Sequence, residues 1–411
     1  MDFFDYGEAL KRLVEGSEPI GAEESVGLFS LCGRTLAQPV QAVRHLPPFD
    51  NSAMDGYAVR CGDAAQAVRV LDTLFAGDVP DAALSSGGET IKVMTGAPVP
   101  EGCEAVVPFE EATVKGDQVR LPETIKAGNH IKRAGEELSA GAPIFERGVC
   151  LDPSGVALLA SQGMMAATVY RPLRVAVLSG GDEVIEPWQQ PGAFEIYNTN
   201  SIALVSALQA AGYEATYATL SGDDEASLSR KLEEVLHGCD AVLTTGGISV
   251  GEADFTRAAF ERLGIEIFFH GLNLKPGRPT MAGRIGRKLA VALPGNPLSA
   301  LVNFHLLVLP ALAKMQGRRA CYLDVLLAQN LESVRIKTGR DTALLGRLEG
   351  GGFRVTRGGK YGSGMLLPLA ESNAIALFGA QSGGLEADQP IKVIALQGAL
   401  SEQWHDPINR K

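Results

Sequence analysis

Between residues 173 and 317, short apolar runs alternate with amphipathic stretches, and no other feature restricts the possible folds of this chain as strongly. Such alternation is the pattern of parallel βαβ units, whose strands are covered on both faces and so read as continuous apolar runs. The run at 175–179 reads as a buried strand, and Asn200 then caps a helix over 201–211 that stops at Gly212. A second unit follows, with a strand over 213–220, a helix over 224–237 and a buried strand over 241–245. A helix over 254–263 comes next, and Asn296 followed by Pro297 opens a long helix that Gly317 ends.

Three glycine-rich loops follow apolar runs of this segment. The first holds Ser179, Gly180, Gly181, Asp182 and Glu183; the second, TTGGISVGEAD, holds Gly246, Gly247, Ser249, Gly251 and Asp254. The third, LPGNP, holds Pro294, Gly295, Asn296 and Pro297. In open parallel sheets ligands bind beyond the carboxyl ends of the strands. Glycines let backbone N–H groups approach an anion, and neighbouring acids hold a hard cation through oxygen, a combination that suits a phosphate-bearing ligand with Mg²⁺. A tight turn is the simpler account of any one of these glycines taken singly, and it is three such loops at strand ends of one domain that point to a site. Downstream, KPGRP sets Lys275 and Arg278 around a Pro-Gly turn, able to present both cations to one small dianion.

The flanks differ. Short β-branched runs broken by Gly, Pro and Asp over 51–140 and 322–397 read as two β-rich modules, with strands at 374–378 and 391–395. Helices near 6–15 and 23–31 are expected to pack with one at 153–161. Asp50 and Asp55 lie in the turn-rich string PPFDNSAMDGYAV, where turn capping competes with ligand binding as the role of Asp55.

Composition excludes several classes. Lys and Arg number 37 against 48 Asp and Glu, a net charge of −11, so no general basic footprint for nucleic acid exists. The first residues carry acids where a secretory signal needs bases, and the most apolar stretch, 304–313, is short of a bilayer span, so a cytosolic protein with no membrane partner is expected. The 6 cysteines form no CxxC pair and the 6 histidines no HxH or HxxxH spacing, which disfavours zinc and disulfide frameworks.

The strings FDNSAMDGYAV, MTGAPVPEGCEAVV, GDEV, TTGGISVGEADF, KPGRP, LPGNPLSA and GSGML together resemble the molybdopterin molybdenumtransferase family, which includes MoeA proteins and the carboxyl-terminal domain of gephyrin-like proteins. The resemblance runs through most of the chain. It implies a multidomain α/β plus β architecture: a linking module over 1–50 and 141–170, an inserted β-rich module over 51–140, a three-layer molybdopterin-binding α/β domain over 171–318, and a carboxyl-terminal β-barrel over 319–411. It also implies insertion of molybdate into the dithiolene of adenylylated molybdopterin, with release of AMP and help from Mg²⁺. A homodimer with its cleft between subunits is expected, along with the upstream adenylyltransferase and apo-molybdoenzymes as partners. A gephyrin-like protein-binding scaffold with weakened catalysis is the alternative.

Carried over residue by residue, the resemblance makes Asp55, Thr95, Glu137, Glu183 and Asp254 catalytic, with Glu183 and Asp254 as metal ligands, and gives molybdate to Lys275, Arg278 and Ser363. The three glycine-rich loops take the pterin substrate. Either Asp223 or Asp224 matches a further functional acid. Departures from the family pattern are Glu137 for Asp, Arg278 for Lys, Gly180 for a frequent Thr and Asn198 for a frequent Asp. In GRDTALLG, Leu345 falls on an arginine that helps bind molybdate, which predicts weaker oxyanion affinity. A shifted register, with Arg340 or Arg347 at the oxyanion and Leu345 in the barrel core, is the competing expectation.

Overall fold

The computed structural model describes residues 3–181, 183–219, 224–246, 255–396, 400–401 and 403–409. The expectations placed on Asp182, Asp223, Gly247, Ser249, Gly251 and Asp254 lie outside these residues. The chain forms two compact units, one comprising the chain up to Gln38, Arg147–Asp152 and Ala166 onward, the other Pro39–Glu146 and Pro153–Met165.

The first unit is built on a six-stranded sheet. Its strands Glu214–Thr219, Arg174–Ser179, Ala241–Thr245 and Lys288–Leu293 lie side by side in parallel, and Met281–Ile285 and Glu266–His270 extend it antiparallel. Residues two apart in a strand share a face. Val175, Val177, Leu243 and Val291 accordingly pack with the helices Tyr6–Gly16, Asn200–Ala210 and the segment from Pro297 to Met315. Ala176, Leu178, Val242 and Ala290 face the helices Glu225–Gly238 and Phe255–Arg262. This is a three-layer α/β arrangement.

The long helix runs Pro297–Met315, 19 residues, as the Asn-Pro start and Gly317 stop predict, with a π-helical turn over Phe304–Val308. It is the one helix among the described residues long and apolar enough to cross a membrane, yet 78% of its apolar window is buried inside the protein. It is the core helix of the α/β layer.

Five strands close a barrel near the carboxyl end. Asp341–Glu349 pairs with both Gly352–Val355 and Ala374–Phe378, and Leu326–Asn330 and Pro390–Ala395 complete the ring. Phe353, Val355, Phe378, Ile391 and Val393 fill its interior. Leu345, Ile375, Leu377 and Ile394, on the other face of these strands, belong to the core of the α/β sheet.

The second unit contains a six-stranded sheet in the order Ala105–Pro108, Gly56–Val59, Glu89–Val93, Ala67–Leu74, Gln118–Arg120 and Thr113–Lys115. It also holds the helix Pro153–Ser161. Two expectations need correction. Glu23–Gly27 is a strand paired antiparallel with Ala166–Tyr170, not part of a helix. Gly27 weakens a helix there, while the extended segment gains a full backbone ladder from a distant partner. The helix Tyr6–Gly16, expected to pack with the one at 153–161, instead belongs to the first unit and packs into its α/β core through Tyr6, Leu10, Leu13 and Val14.

Candidate active site

Ser179, Thr245 and Leu293 stand in register at the carboxyl ends of three adjacent parallel strands, so the loops that follow them emerge together. Gly246 has a φ of +89°, and a Cβ there would lie 2.6 Å from the Gly180 carbonyl oxygen. Only glycine allows that approach between the first two loops. The third is tied in by Asn200, whose Nδ2 donates to Thr245 Oγ1 at 2.8 Å and to the Gly295 carbonyl at 2.7 Å. Asn200 is therefore the first helical residue and a strap between loops, rather than the helix cap expected; Thr199 occupies the cap position. Composition could not reveal this, because its partners lie 45 and 95 residues away.

Beside these loops lies a cavity of about 520 Å³, and the three residues expected to hold molybdate meet in it: Lys275, Arg278 and Ser363. Pro294 and Asn296 of the third loop also border it, as does Arg340 from the barrel. The lining contains three cations and no carboxylate, in a chain of net charge −11. Such one-signed lining concentrates an anion. Asn296 Nδ2 donates to Ser363 Oγ at 2.9 Å, and the Leu298 N–H donates to the Ser363 carbonyl at 3.1 Å, so the helix start positions the serine. Asn296 holds the cap position, with Pro297 in the first turn as expected, but spends its side chain on Ser363 instead of capping.

The KPGRP loop is held from beneath by Asn303, a fully buried residue of the long helix that the sequence reading missed. Its Nδ2 donates to the Gly277 carbonyl at 2.9 Å and to Thr280 Oγ1 at 2.5 Å. Arg278 lines the cavity with its guanidinium stacked 3.7 Å from the centre of the Phe3 ring. Lys275 and Arg340 have no ion-pair partner among the described residues.

Leu345 does not border the cavity. It is 1% exposed within the core shared by barrel and sheet, and its N–H donates to the Tyr361 hydroxyl at 2.7 Å. Strand alternation places it there: Leu344 faces the barrel interior, so its neighbour must face the α/β layer. Arg347 is engaged by Glu349 at 2.6 Å and is not a lining residue. Tyr361 does line the cavity, and burial pushes its hydroxyl up to about 12, so it stays neutral.

The carboxylates are dispersed. Asp224 caps the helix Glu225–Gly238, accepting from the Ser227 N–H and Oγ, both at 2.9 Å, and the backbone bond holds it below the usual carboxylate range. Glu183 is exposed, its Oε2 2.9 Å from where a Cβ on Gly181 would lie. Among the described residues no group of three or more His, Cys, Asp or Glu gathers as a metal cluster. In the other unit Asp55 Oδ1 accepts from the Thr95 N–H at 2.7 Å and Thr95 Oγ1 at 2.8 Å, which holds its carboxyl below the usual range. Asp55 thus caps a turn and remains an exposed anion. Glu137 is exposed and borders a separate cavity of about 670 Å³ with Lys132 and Glu136.

Three family models match in order: the MoeA N-terminal region (domain I and II) over residues 4–163, the probable molybdopterin binding domain over 176–314, and the MoeA C-terminal region (domain IV) over 328–396. The molybdopterin molybdenumtransferase of Haemophilus influenzae is 33% identical over 377 residues, spanning 90% of this chain and 93% of its own. This chain belongs to the molybdopterin molybdenumtransferase family. It is a transferase of molybdenum cofactor biosynthesis. The family's enzyme from Synechococcus elongatus is likewise 33% identical, over 91% of this chain and 95% of its own length. The crystal structure of the molybdopterin biosynthesis MoeA protein from Pyrococcus horikoshii superposes with a TM-score of 0.84 at 30% identity, covering 96% of this chain and all of that one. The α/β layer and terminal barrel are therefore the family's fold.

Proposed function

We propose that this enzyme inserts molybdate into the dithiolene of adenylylated molybdopterin and releases AMP, working in the cytosol as a homodimer. The observation that carries the reading is the carboxylate-free cavity with three cations, bordered by the same LPGNP loop that joins the glycine loops at the strand ends. In this reading the strand-end loops hold the phosphate-linked pterin, and Lys275, Arg278 and Ser363 hold the oxyanion. Asn296, shared between the two, sets their separation. Catalysis then comes chiefly from bringing dithiolene and molybdate together in a positively charged recess.

The donors present fit Mg²⁺, which keeps several waters and takes one or two carboxylates together with substrate phosphate oxygens. Glu183, exposed beside Gly181, would supply the carboxylate, and the ion would polarise the phosphoanhydride. Incubation of purified enzyme with adenylylated molybdopterin and molybdate is expected to release AMP and leave molybdenum on the pterin, with the yield dependent on Mg²⁺. Tight pterin binding without turnover would instead identify a scaffold. For the dimer, Asp55→Ala subunits combined with Glu183→Ala subunits are expected to regain activity that neither variant has alone. Verified heterodimers without recovery would exclude a cleft shared between subunits.

A further inference from the structure

We infer that Glu186 and Asn198 are positioning residues of this enzyme: together they lock the loop that carries Glu183 to the helix whose Asn200 straps the other two glycine loops. The inference rests on the proposed function, in which Glu183 serves the reaction, and adds to it the groups that hold that acid in place.

Glu183 opens a small ladder. Val184–Ile185 and Ile196–Tyr197 pair in parallel, the Ile196 N–H donates to the Glu183 carbonyl at 2.8 Å, and the Asn198 N–H donates to the Ile185 carbonyl at 2.7 Å. Ile196 and Tyr197 are exposed, so water competes for these bonds, and two strands of two residues do not hold by themselves. A further anchor is needed.

A buried carboxylate supplies it. Glu186 directly follows the first strand of the ladder, is 8% exposed, and has no cation paired with it among the described residues. Its oxygens accept instead from two neutral donors, Asn198 Nδ2 at 3.1 Å and the Tyr217 hydroxyl at 2.9 Å. Tyr217 belongs to the strand Glu214–Thr219 and lies opposite Val177, so the carboxylate is moored to the main sheet. Burying a carboxylate without a counter-ion is costly, and an apolar side chain would fill the space at less cost. The arrangement therefore serves orientation more than stability.

Asn198 is the node. It is 2% exposed; its Nδ2 goes to Glu186, and its Oδ1 accepts the Ser201 N–H at 3.2 Å, at the start of the helix Asn200–Ala210. Asn200, in the same turn, reaches Thr245 Oγ1 and the Gly295 carbonyl. A path of hydrogen bonds thus runs from Glu183 through the ladder and Asn198 to the other two strand-end loops. An aspartate at 198 has no N–H to give and would set a second negative charge against Glu186.

The test exchanges the roles of the two side chains in the full-length protein. Asn198→Asp is expected to lower kcat for AMP release about tenfold to a hundredfold, the weight of a hydrogen bond to a charged group, and to raise the Mg²⁺ concentration for half-maximal rate. Glu186→Gln keeps an acceptor for Asn198 and should lose less. In the double variant, Glu186→Gln with Asn198→Asp, the amide at 186 donates to the carboxylate at 198, which still accepts the Ser201 N–H, and most of the rate should return. Hydrogen exchange gives a readout independent of turnover: the Ile196 and Asn198 amides should exchange roughly tenfold to a hundredfold faster in Asn198→Asp and recover in the double variant. Wild-type kcat and Mg²⁺ dependence in folded Asn198→Asp, even with a lowered melting temperature, would leave only a structural role and overturn the inference. A double variant no better than Asn198→Asp would overturn it as well. Wild-type protein that releases no AMP would overturn the proposed function, and the positioning role with it.

Discussion

Replacing Leu345 by arginine is expected to destabilise the protein by about 3–5 kcal/mol, the usual cost of a buried charge left without a partner. The resemblance alone suggested the opposite, a gain in molybdate affinity. The geometry reverses it, because Leu345 is 1% exposed, lies opposite Ile375 in the barrel ladder and packs into the core shared with the α/β sheet. A guanidinium cannot shed its proton to escape burial. Bending toward the cavity brings it to Lys275, Arg278 and Arg340, where like charges oppose it in the absence of anion. Urea unfolding should show a lower midpoint than wild type, with partial recovery at high molybdate if the arginine reaches the recess. An unchanged midpoint together with tighter molybdate binding would show that the outer face of this strand opens to the cavity after all.

The second large effect is expected at Gly277. Its φ is +111°, a conformation side chains rarely adopt, and a Cβ there would fall 2.3 Å from Nδ2 of Asn303. Gly277→Ala must therefore strain the backbone, by about 1–3 kcal/mol, and push away the amide that holds the loop. Each buried hydrogen bond Asn303 then loses, to the Gly277 carbonyl or to Thr280 Oγ1, costs on the order of 1–3 kcal/mol more. Because Lys275 lies two residues upstream, molybdate affinity should fall along with the melting temperature. Gly62→Ala provides the control, since nothing lies within 4 Å of a Cβ there and its backbone is not left-handed. Wild-type melting and molybdate binding in Gly277→Ala would mean that the loop has freedom these contacts do not suggest.

Local periodicity made much of the architecture legible. The strands Ala241–Thr245 and Ala374–Phe378 were read residue for residue, and the helix Glu225–Gly238 to within one residue at each end, because a short run of apolar and β-branched residues or a helical period between Asp and Gly needs no distant information. The motif strings likewise carried the family, and Lys275, Arg278 and Ser363, far apart in the chain, line one cavity. Asp224, one of the two acids between which the match to a functional position was left open, caps the helix that follows it, accepting from the Ser227 N–H.

What the chain's sequence determined by itself was which segments are extended, which are helical and where glycine must permit a sharp approach, since propensity and turn chemistry act over a few residues. What only the tertiary structure decided was pairing and facing. Glu23–Gly27 became a strand because Ala166–Tyr170 was there to receive it. Asn200 and Asn303 became straps because distant carbonyls and hydroxyls lay within reach of their amides. Leu345 and Arg340 differ in surroundings because the strand's register turns the first toward the core, while the second, just before the strand begins, lines the cavity with Lys275. A strand displaced by one residue exchanges its two faces, and that displacement is set by hydrogen bonds to segments far away in the chain, which no local pattern records.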